Sequence, residues 1–274
     1  MLKKIKWTRI LLLLLFLSLV ISVPMWSQVP DDAAMKAFDN WAHDKADTNW
    51  DFPGEVLAHY KLKLRADGLS ETQADVLVAA LEKRIWADDT DFWNKNYSGG
   101  GPLTFTPEPN QTLVQAVKGR KPGNALDVEM GQGRNAVFLA QQGWSLTGFD
   151  ISQTALSLAQ DQAHKLGVTI NTVLSRDIDF DFGKEQWDLI AIIYPMDRRS
   201  LPKVQSALRP GSLFVTEGFH EEVHGPAMRY RTNELLERFR GFRVYRYEEV
   251  IAKPDWGKSD VRVVKFVAEK PLTN

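Results

Sequence analysis

Apolar residues fall into three regimes along this chain, and each predicts a different kind of element. Ile10 to Val23 form an apolar run broken only by Ser18 and Ser22, behind the basic residues Lys3, Lys4, Lys6 and Arg9. Residues 31 to about 100 read as helical and rich in aromatics. There Ser70 and Gln73 form a capping box, and Ala74, Leu77, Leu81 and Ile85 follow at helical spacing. A second helix is predicted over Glu55 to Arg65, ended by Asp67-Gly68. Trp41, Trp50, Trp86 and Trp93 are expected to pin these helices to a larger body.

From Asn124 onward short apolar runs alternate with helical segments. Strands are predicted at 124–129, 145–149, 169–174, 187–193, 212–216, 242–250 and 261–268. One helix runs from Asn135 to Gln142 and stops at Gly143; a second is capped by Ser152 and ends at Gly167. A third opens at Ser200-Leu201-Pro202 and is stopped by Pro210-Gly211. The last two strands are joined by a short turn of Pro254, Asp255 and Gly257, which predicts antiparallel pairing. The expected fold class is α/β: a seven-stranded, mostly parallel Rossmann-like sheet with helices on both faces, an antiparallel last strand and an N-terminal helical extension.

Three units are expected. Residues 1–27 are a signal peptide or N-terminal membrane anchor, 31–100 the helical extension with its Ser98–Pro102 linker, and 101–272 the sheet domain. The apolar run is shorter than the roughly 20 residues of a full span, so a secretory signal fits it better than an anchor. Met25 and Ser27 make only a weak cleavage pattern, which keeps the uncleaved anchor open. Under both readings residues beyond 30 lie outside the cytoplasm; a start site placed downstream would leave the chain cytoplasmic.

The 34 basic and 35 acidic residues nearly cancel, so no global field favours nucleic acid, and membrane contact is expected only through the N-terminal segment. Arg229, Arg231, Arg238, Arg240, Arg243 and Arg246 read as a solvated face. The absence of cysteine excludes disulfides and thiolate chemistry. No metal is expected, since His220-x-x-x-His224 lies in a loop and the remaining histidines show no ligand spacing. Oligomeric state is not readable.

The chemistry is concentrated at Asn124-Ala-Leu-Asp127-Val-Glu129-Met-Gly131-Gln-Gly133-Arg-Asn135, followed by Gly148-Phe-Asp150. A strand, a glycine turn, a helix and an acid closing the next strand build a pocket for an adenosine-containing cofactor at the carboxyl edge of a parallel sheet. Gly131 and Gly133 let the backbone approach a ligand, Asp150 suits ribose hydroxyls, and Asp177 after the third strand suits an adenine amino group, with Ile178 against the ring. Gly131-x-Gly133-x-x-Ala136 also fits a dinucleotide fingerprint. Arg134-Asn135 would crowd a pyrophosphate, however, and an NAD(P)-dependent oxidoreductase is the lesser reading.

These residues resemble motif I and the ribose acid of class I S-adenosylmethionine-dependent methyltransferases. The Gly-Gln-Gly-Arg-Asn version is similar to the tellurite-resistance-type branch. Trp187-Asp-Leu-Ile and Leu208-Arg-Pro-Gly-Ser-Leu-Phe resemble the fourth strand and the turn into the fifth. The resemblance covers about residues 105–270. It implies S-adenosyl-L-methionine as cofactor, with Asp127, Gly131, Gly133 and Asn135 at its methionine end. Asp150 and Ile151 would take the ribose, Asp177 and Ile178 the adenine, and Tyr194 would face the sulfonium.

His220 and Tyr194 are the candidate catalytic residues, and Trp93 and Tyr97 candidates for an aromatic wall at the substrate. Ile193-Tyr-Pro-Met after the fourth strand is not the Asn-Pro-Pro-Tyr of many amino-group methyltransferases, so the expected acceptor is a small molecule and no nucleic acid is expected. One position departs from the family: Glu129 stands where glycine is usual. The side chain must point away, pair with the cofactor's ammonium, or clash. It also motivates the alternative of a non-catalytic binding module.

Overall fold

The computed structural model describes residues 32–43, 53–101, 106–195, 200–223, 229–255, 257 and 259–272. The leader, Trp50, Pro102, Met196 and His224 lie outside the described residues. Among the described residues no helix is long and apolar enough to cross a membrane.

Three helices come first: α1 (Asp32–His43), α2 (Gly54–Ala66) and α3 (Glu71–Tyr97). The Ser70/Gln73 capping box opens α3, as the spacing predicts. Phe38 of α1, Leu57, Tyr60 and Leu64 of α2, and Ala74, Leu81 and Ile85 of α3 bury a core of their own. Trp41 belongs to it, packing on Tyr60 with ring centroids 5.0 Å apart, so it secures the extension internally. Only the first half of α3 is spent there.

The second unit runs α4 (Gln111–Val117), β1 (Asn124–Val128), α5 (Arg134–Gln141), β2 (Ser145–Asp150), α6 (Gln153–Lys165), β3 (Asn171–Leu174), β4 (Trp187–Ile193), α7 (Leu201–Ala207), β5 (Leu208–His220), β6 (Arg229–Tyr230), α8 (Glu234–Arg238), β7 (Arg243–Ala252) and β8 (Val261–Glu269). The sheet order is β3-β2-β1-β4-β5-β8-β7, with β6 paired to the end of β5. Neighbours from β3 to β5 are parallel; β8 is antiparallel to both β5 and β7. The reversal between β1 and β4 is the switch point at which ligands bind in such sheets.

Alternation along each strand divides the core. Leu189, Ala191 and Ile193 of β4 join the cluster under α4, α5 and α6, whereas Ile190 and Ile192 face the cluster under α7 and α8. A central strand buried on both faces reads as a continuous apolar run. Its exception, Asp188, accepts the Asn124 N–H at 2.7 Å and a 2.6 Å bond from Arg209, tying together the starts of β1, β4 and β5.

Two expectations about β5 change. The α7 helix ends at Ala207, before Pro210-Gly211, and those residues lie in β5 beside a register shift opposite Trp187 and Leu189. They form a bulge in an extended chain and do not stop a helix. The strand also runs on to His220, four residues past the expected end, and the two-residue β6 makes eight strands where seven are predicted.

Gly133 ends the turn into α5 at φ 81°, and a Cβ there would sit 2.6 Å from the Ala159 Cβ of α6. Gly133→Ala should cost about 1–3 kcal/mol in urea unfolding. Gly119→Ala has a similar φ of 73° but open space, so it should cost less.

Candidate functional site

The site begins with a left-handed excursion at the end of β1. Glu129 has φ 53°, Gly131 55° and Gly133 81°, and the chain re-enters a helix at Arg134. A left-handed residue with a Cβ costs roughly 1–2 kcal/mol, so the glutamate occupies a backbone position that glycine would take without penalty. The turn is held from three sides. Met130 N–H donates to Phe149 O at 3.0 Å, Gly133 N–H to Met130 O at 3.1 Å, and Gly131 N–H to Asp150 Oδ2 at 2.9 Å. The other Asp150 oxygen accepts the Ser152 N–H at 2.9 Å.

A cavity opens above this turn at the carboxyl ends of β1, β2, β3 and β4. Of the expected site residues it gathers Trp93, Tyr97, Glu129, Gly131, Asn135, Asp150, Ile151, Asp177 and Tyr194. Trp86, Asp89, Met130, Gln132, Arg134 and Ile193 complete the lining, beyond what the motifs indicate. Trp86, Asp89, Trp93 and Tyr97 recur at intervals of three and four, so they share one face of the second half of α3. That stripe is the sequence signal for the roof.

The roof is fastened on two sides. Asn94 Oδ1 accepts Ser152 Oγ–H at 2.8 Å and Thr154 N–H at 3.1 Å, joining α3 to the start of α6 beside Asp150. The Arg176 guanidinium lies 5.3 Å from the Trp86 ring, joining α3 to the loop after β3. That loop is set from below by Lys203, which donates to Asp177 O at 2.9 Å and Ile178 O at 2.8 Å. Tyr97 reaches so close to the turn that a Cβ on Gly131 would stand 2.6 Å from its hydroxyl.

Four expected residues do not line the cavity. Asp127 is buried within β1 under the turn. Gly133 faces α6, so its missing side chain serves helix packing. Ile178 is half-buried beside Asp177. His220 is the clearest correction. Because β5 continues beyond Glu217, the β4-end register, His220 lies three residues farther on, roughly 10 Å at strand rise. It is buried, with Nδ1 accepting the Glu222 N–H at 3.2 Å and Nε2 3.1 Å from Thr232 Oγ1. It anchors the β5–β6 region, away from the cavity.

Tyr194 also reads differently in place. It has φ 58°, and its hydroxyl donates to Glu217 Oε1 at 2.8 Å. Glu217 Oε2 in turn accepts Thr112 Oγ1–H at 2.6 Å. Burial and the Glu217 carboxylate both push the Tyr194 phenol up, so it stays protonated. Its ring walls the cavity while its hydroxyl belongs to a buried network, an arrangement unsuited to a base. Arg134 is likewise committed, to Asp255 in the β7–β8 turn and to Glu108 O at 3.0 Å.

Burial raises three carboxyls of this region. Asp127 is pushed up to about 7, with Arg134 opposing the shift; Asp150 to about 6; and Asp89 to about 6, with Asp88 adding to the effect of burial. Among the described residues no group of His, Asp or Glu could hold a metal ion.

Comparison with known proteins follows the same segment. Residues 125–211 match a family model described as a methyltransferase domain. The chain is 23% identical over 171 residues to the probable S-adenosyl-L-methionine-dependent methyltransferase TehB of Haemophilus influenzae, covering 58% of this chain and 57% of that protein. It thus spans little more than half the length of that curated relative. Among solved structures it is similar to TehB from Haemophilus influenzae (19% identical, TM-score 0.51, 65% of this chain and 67% of that one). It is also similar to a structure described for conversion of a disulfide bond into a thioacetal group during echinomycin biosynthesis (20%, TM-score 0.54, 68% and 93%). A third neighbour is the [4+2]-cyclase SpnF (16%, TM-score 0.51, 69% and 95%). These likenesses establish the fold.

A carboxyl raised in the folded state holds a proton that the unfolded chain has already released between about pH 4 and 7, so its contribution to stability is lost as pH rises through that window. Asp127→Asn removes one such ionisation. Its stability relative to the unsubstituted protein should improve by roughly 1 kcal/mol or more between pH 5 and pH 8, measured by chemical unfolding at both.

Proposed function

We propose that this chain, whose residues 125–211 match a methyltransferase-domain model, is a class I S-adenosylmethionine-dependent methyltransferase of the tellurite-resistance-type branch that transfers a methyl group from S-adenosylmethionine to a small-molecule nucleophile. The observation that carries the reading is the placing of Gly131, Asp150 and Asp177 at successive strand ends of one cavity. The residues present fit the cofactor. Asp150 accepts the Gly131 N–H on one oxygen and the Ser152 N–H on the other, and its two oxygens keep acceptor capacity for ribose hydroxyls, while Gly131 keeps its backbone open to a ligand.

The bound cofactor would supply an electrophilic methyl group on a sulfonium. The chain's part is to orient, to exclude water and to manage the acceptor's proton. Orientation falls to Asp150, Asp177 and Ile151, with Tyr194 as a fixed wall. The α3 roof, through Trp86, Trp93 and Tyr97, limits solvent. Asp89 is the carboxylate on the roof face of the cavity, and its raised pKa suits it to accept a proton from an incoming nucleophile. The roof of α3 over the cavity supports a small acceptor over a macromolecular one. The dinucleotide reading is disfavoured, since Arg134 is held by Asp255. The non-catalytic reading keeps one observation in its favour, the left-handed Glu129. Export or anchoring through the first 27 residues remains part of the proposal; mass spectrometry of the mature N-terminus should find cleavage or a retained leader, and a downstream start would refute both.

Calorimetry should show submillimolar binding of S-adenosylmethionine and none of NADP, and incubation with acceptor pools should release S-adenosylhomocysteine. Binding without release in any pool would favour the non-catalytic module. Asp150 must be ionised to accept both hydroxyls, so affinity should climb as pH rises through about 6, and Asp150→Asn should weaken binding about ten- to a hundredfold at pH 7.5. Asp89→Asn should leave affinity within about twofold while lowering turnover and removing the acidic limb of the rate profile.

A further inference from the structure

The sheet order determines which part of a ligand Glu129 meets. Asp150 ends β2 and Asp177 follows β3, and these strands form one flank of the sheet, in the order β3-β2-β1-β4. A ligand whose ribose and base use those two acids must send its remaining atoms toward the ends of β1 and β4. Glu129 follows β1, Tyr194 follows β4, and both line the same cavity. In S-adenosylmethionine the remaining atoms are the sulfonium and the amino-acid end.

The three alternatives for the glutamate then resolve. It does not distort the turn, because it adopts the left-handed backbone itself at φ 53°, and the neighbouring Gly131 N–H keeps its bond to Asp150. Nor does its side chain leave the site, because Glu129 lines the cavity and its charge acts on the Tyr97 hydroxyl lying over Gly131. What remains is a polar role inside the cavity. The lining carboxylates are Asp89, Glu129, Asp150 and Asp177, set against Arg134, whose guanidinium pairs with Asp255. The cavity is an electronegative one, suited to a cationic ligand end.

We infer that Glu129 is a specificity-determining residue that receives the ammonium of the cofactor's amino-acid end with a charged side chain where glycine is usual. The inference rests on the cofactor reading above and goes past it, by giving this chain a recognition device of its own.

The test is calorimetric titration of the intact chain and of Glu129→Gln and Glu129→Gly with three probes. These are S-adenosylmethionine, decarboxylated S-adenosylmethionine (which keeps the ammonium) and 5′-methylthioadenosine (which lacks the amino-acid end). Both substitutions should weaken the first two probes by about ten- to a hundredfold, the range for a hydrogen bond to a charged group. Neither should change 5′-methylthioadenosine by more than about twofold. Glycine suits the left-handed backbone, so Glu129→Gly serves where glutamine perturbs folding. Equal losses for all three probes, or undiminished S-adenosylmethionine binding in both variants, would overturn the assignment. If the unsubstituted chain binds 5′-methylthioadenosine but not S-adenosylmethionine, the ammonium role fails while the adenosine pocket stands. If it binds neither, the cofactor reading fails with it.

Discussion

The hydrogen bond from Gly131 N–H to Asp150 Oδ2 is the constraint on which the cavity depends. It joins the turn after β1 to the last residue of β2 and so fixes two adjacent strand ends as one surface. The turn that this bond closes passes through left-handed conformations at 129, 131 and 133, and it holds the Asp150 carboxylate where burial raises its proton affinity. Asp127 beneath the turn is raised for the same reason. Geometry and titration therefore have a common origin. A turn tight enough to expose backbone to a ligand also withdraws its supporting acids from water.

Above that surface the helical extension is part of the site. Helix α3 is long enough to have two jobs, with Ala74, Leu81 and Ile85 in the core of the extension and Trp86, Asp89, Trp93 and Tyr97 over the cavity. Asn94 couples the two units at the start of α6, where its side chain also satisfies a helix-terminal N–H.

The strand and helix order was readable because period-two and period-3.6 patterns are local, and so were the glycine turn, the acid closing β2 and the acid after β3. What escaped depends on distant partners. Glu217-Gly-Phe-His220 reads as a polar exit from β5, but Thr112 and Tyr194 satisfy Glu217, and pairing with β8 carries the strand onward. Hence His220, a plausible rim residue if the strand stops at 216, travels past the cavity. Tyr194 lines the cavity, but its hydroxyl partner Glu217 is invisible in the local sequence. The roof stripe at 86, 89, 93 and 97 was visible in principle. Trp93 and Tyr97 read as an aromatic wall, but Trp86 and Asp89 do not join them from the sequence alone, because aromatic residues at helical spacing usually mean core, and Trp41 shows that here some of them do.

The position of Arg134 bears on what can be separated from what. It opens α5 near the start of the segment that matches the methyltransferase family model, yet its partners, Glu108 O and Asp255, lie on either side of that segment. Asp255 also accepts Asn110 Nδ2–H at 2.8 Å, while Asn110 N–H donates to Asn135 Oδ1 at 2.8 Å. The start of α5 is therefore clamped by chain from before β1 and from the final hairpin. Residues 125–211 are a recognisable motif but not a transplantable one. Moved alone into another protein, they would carry the glycines and the acids while leaving behind the groups that hold their arginine.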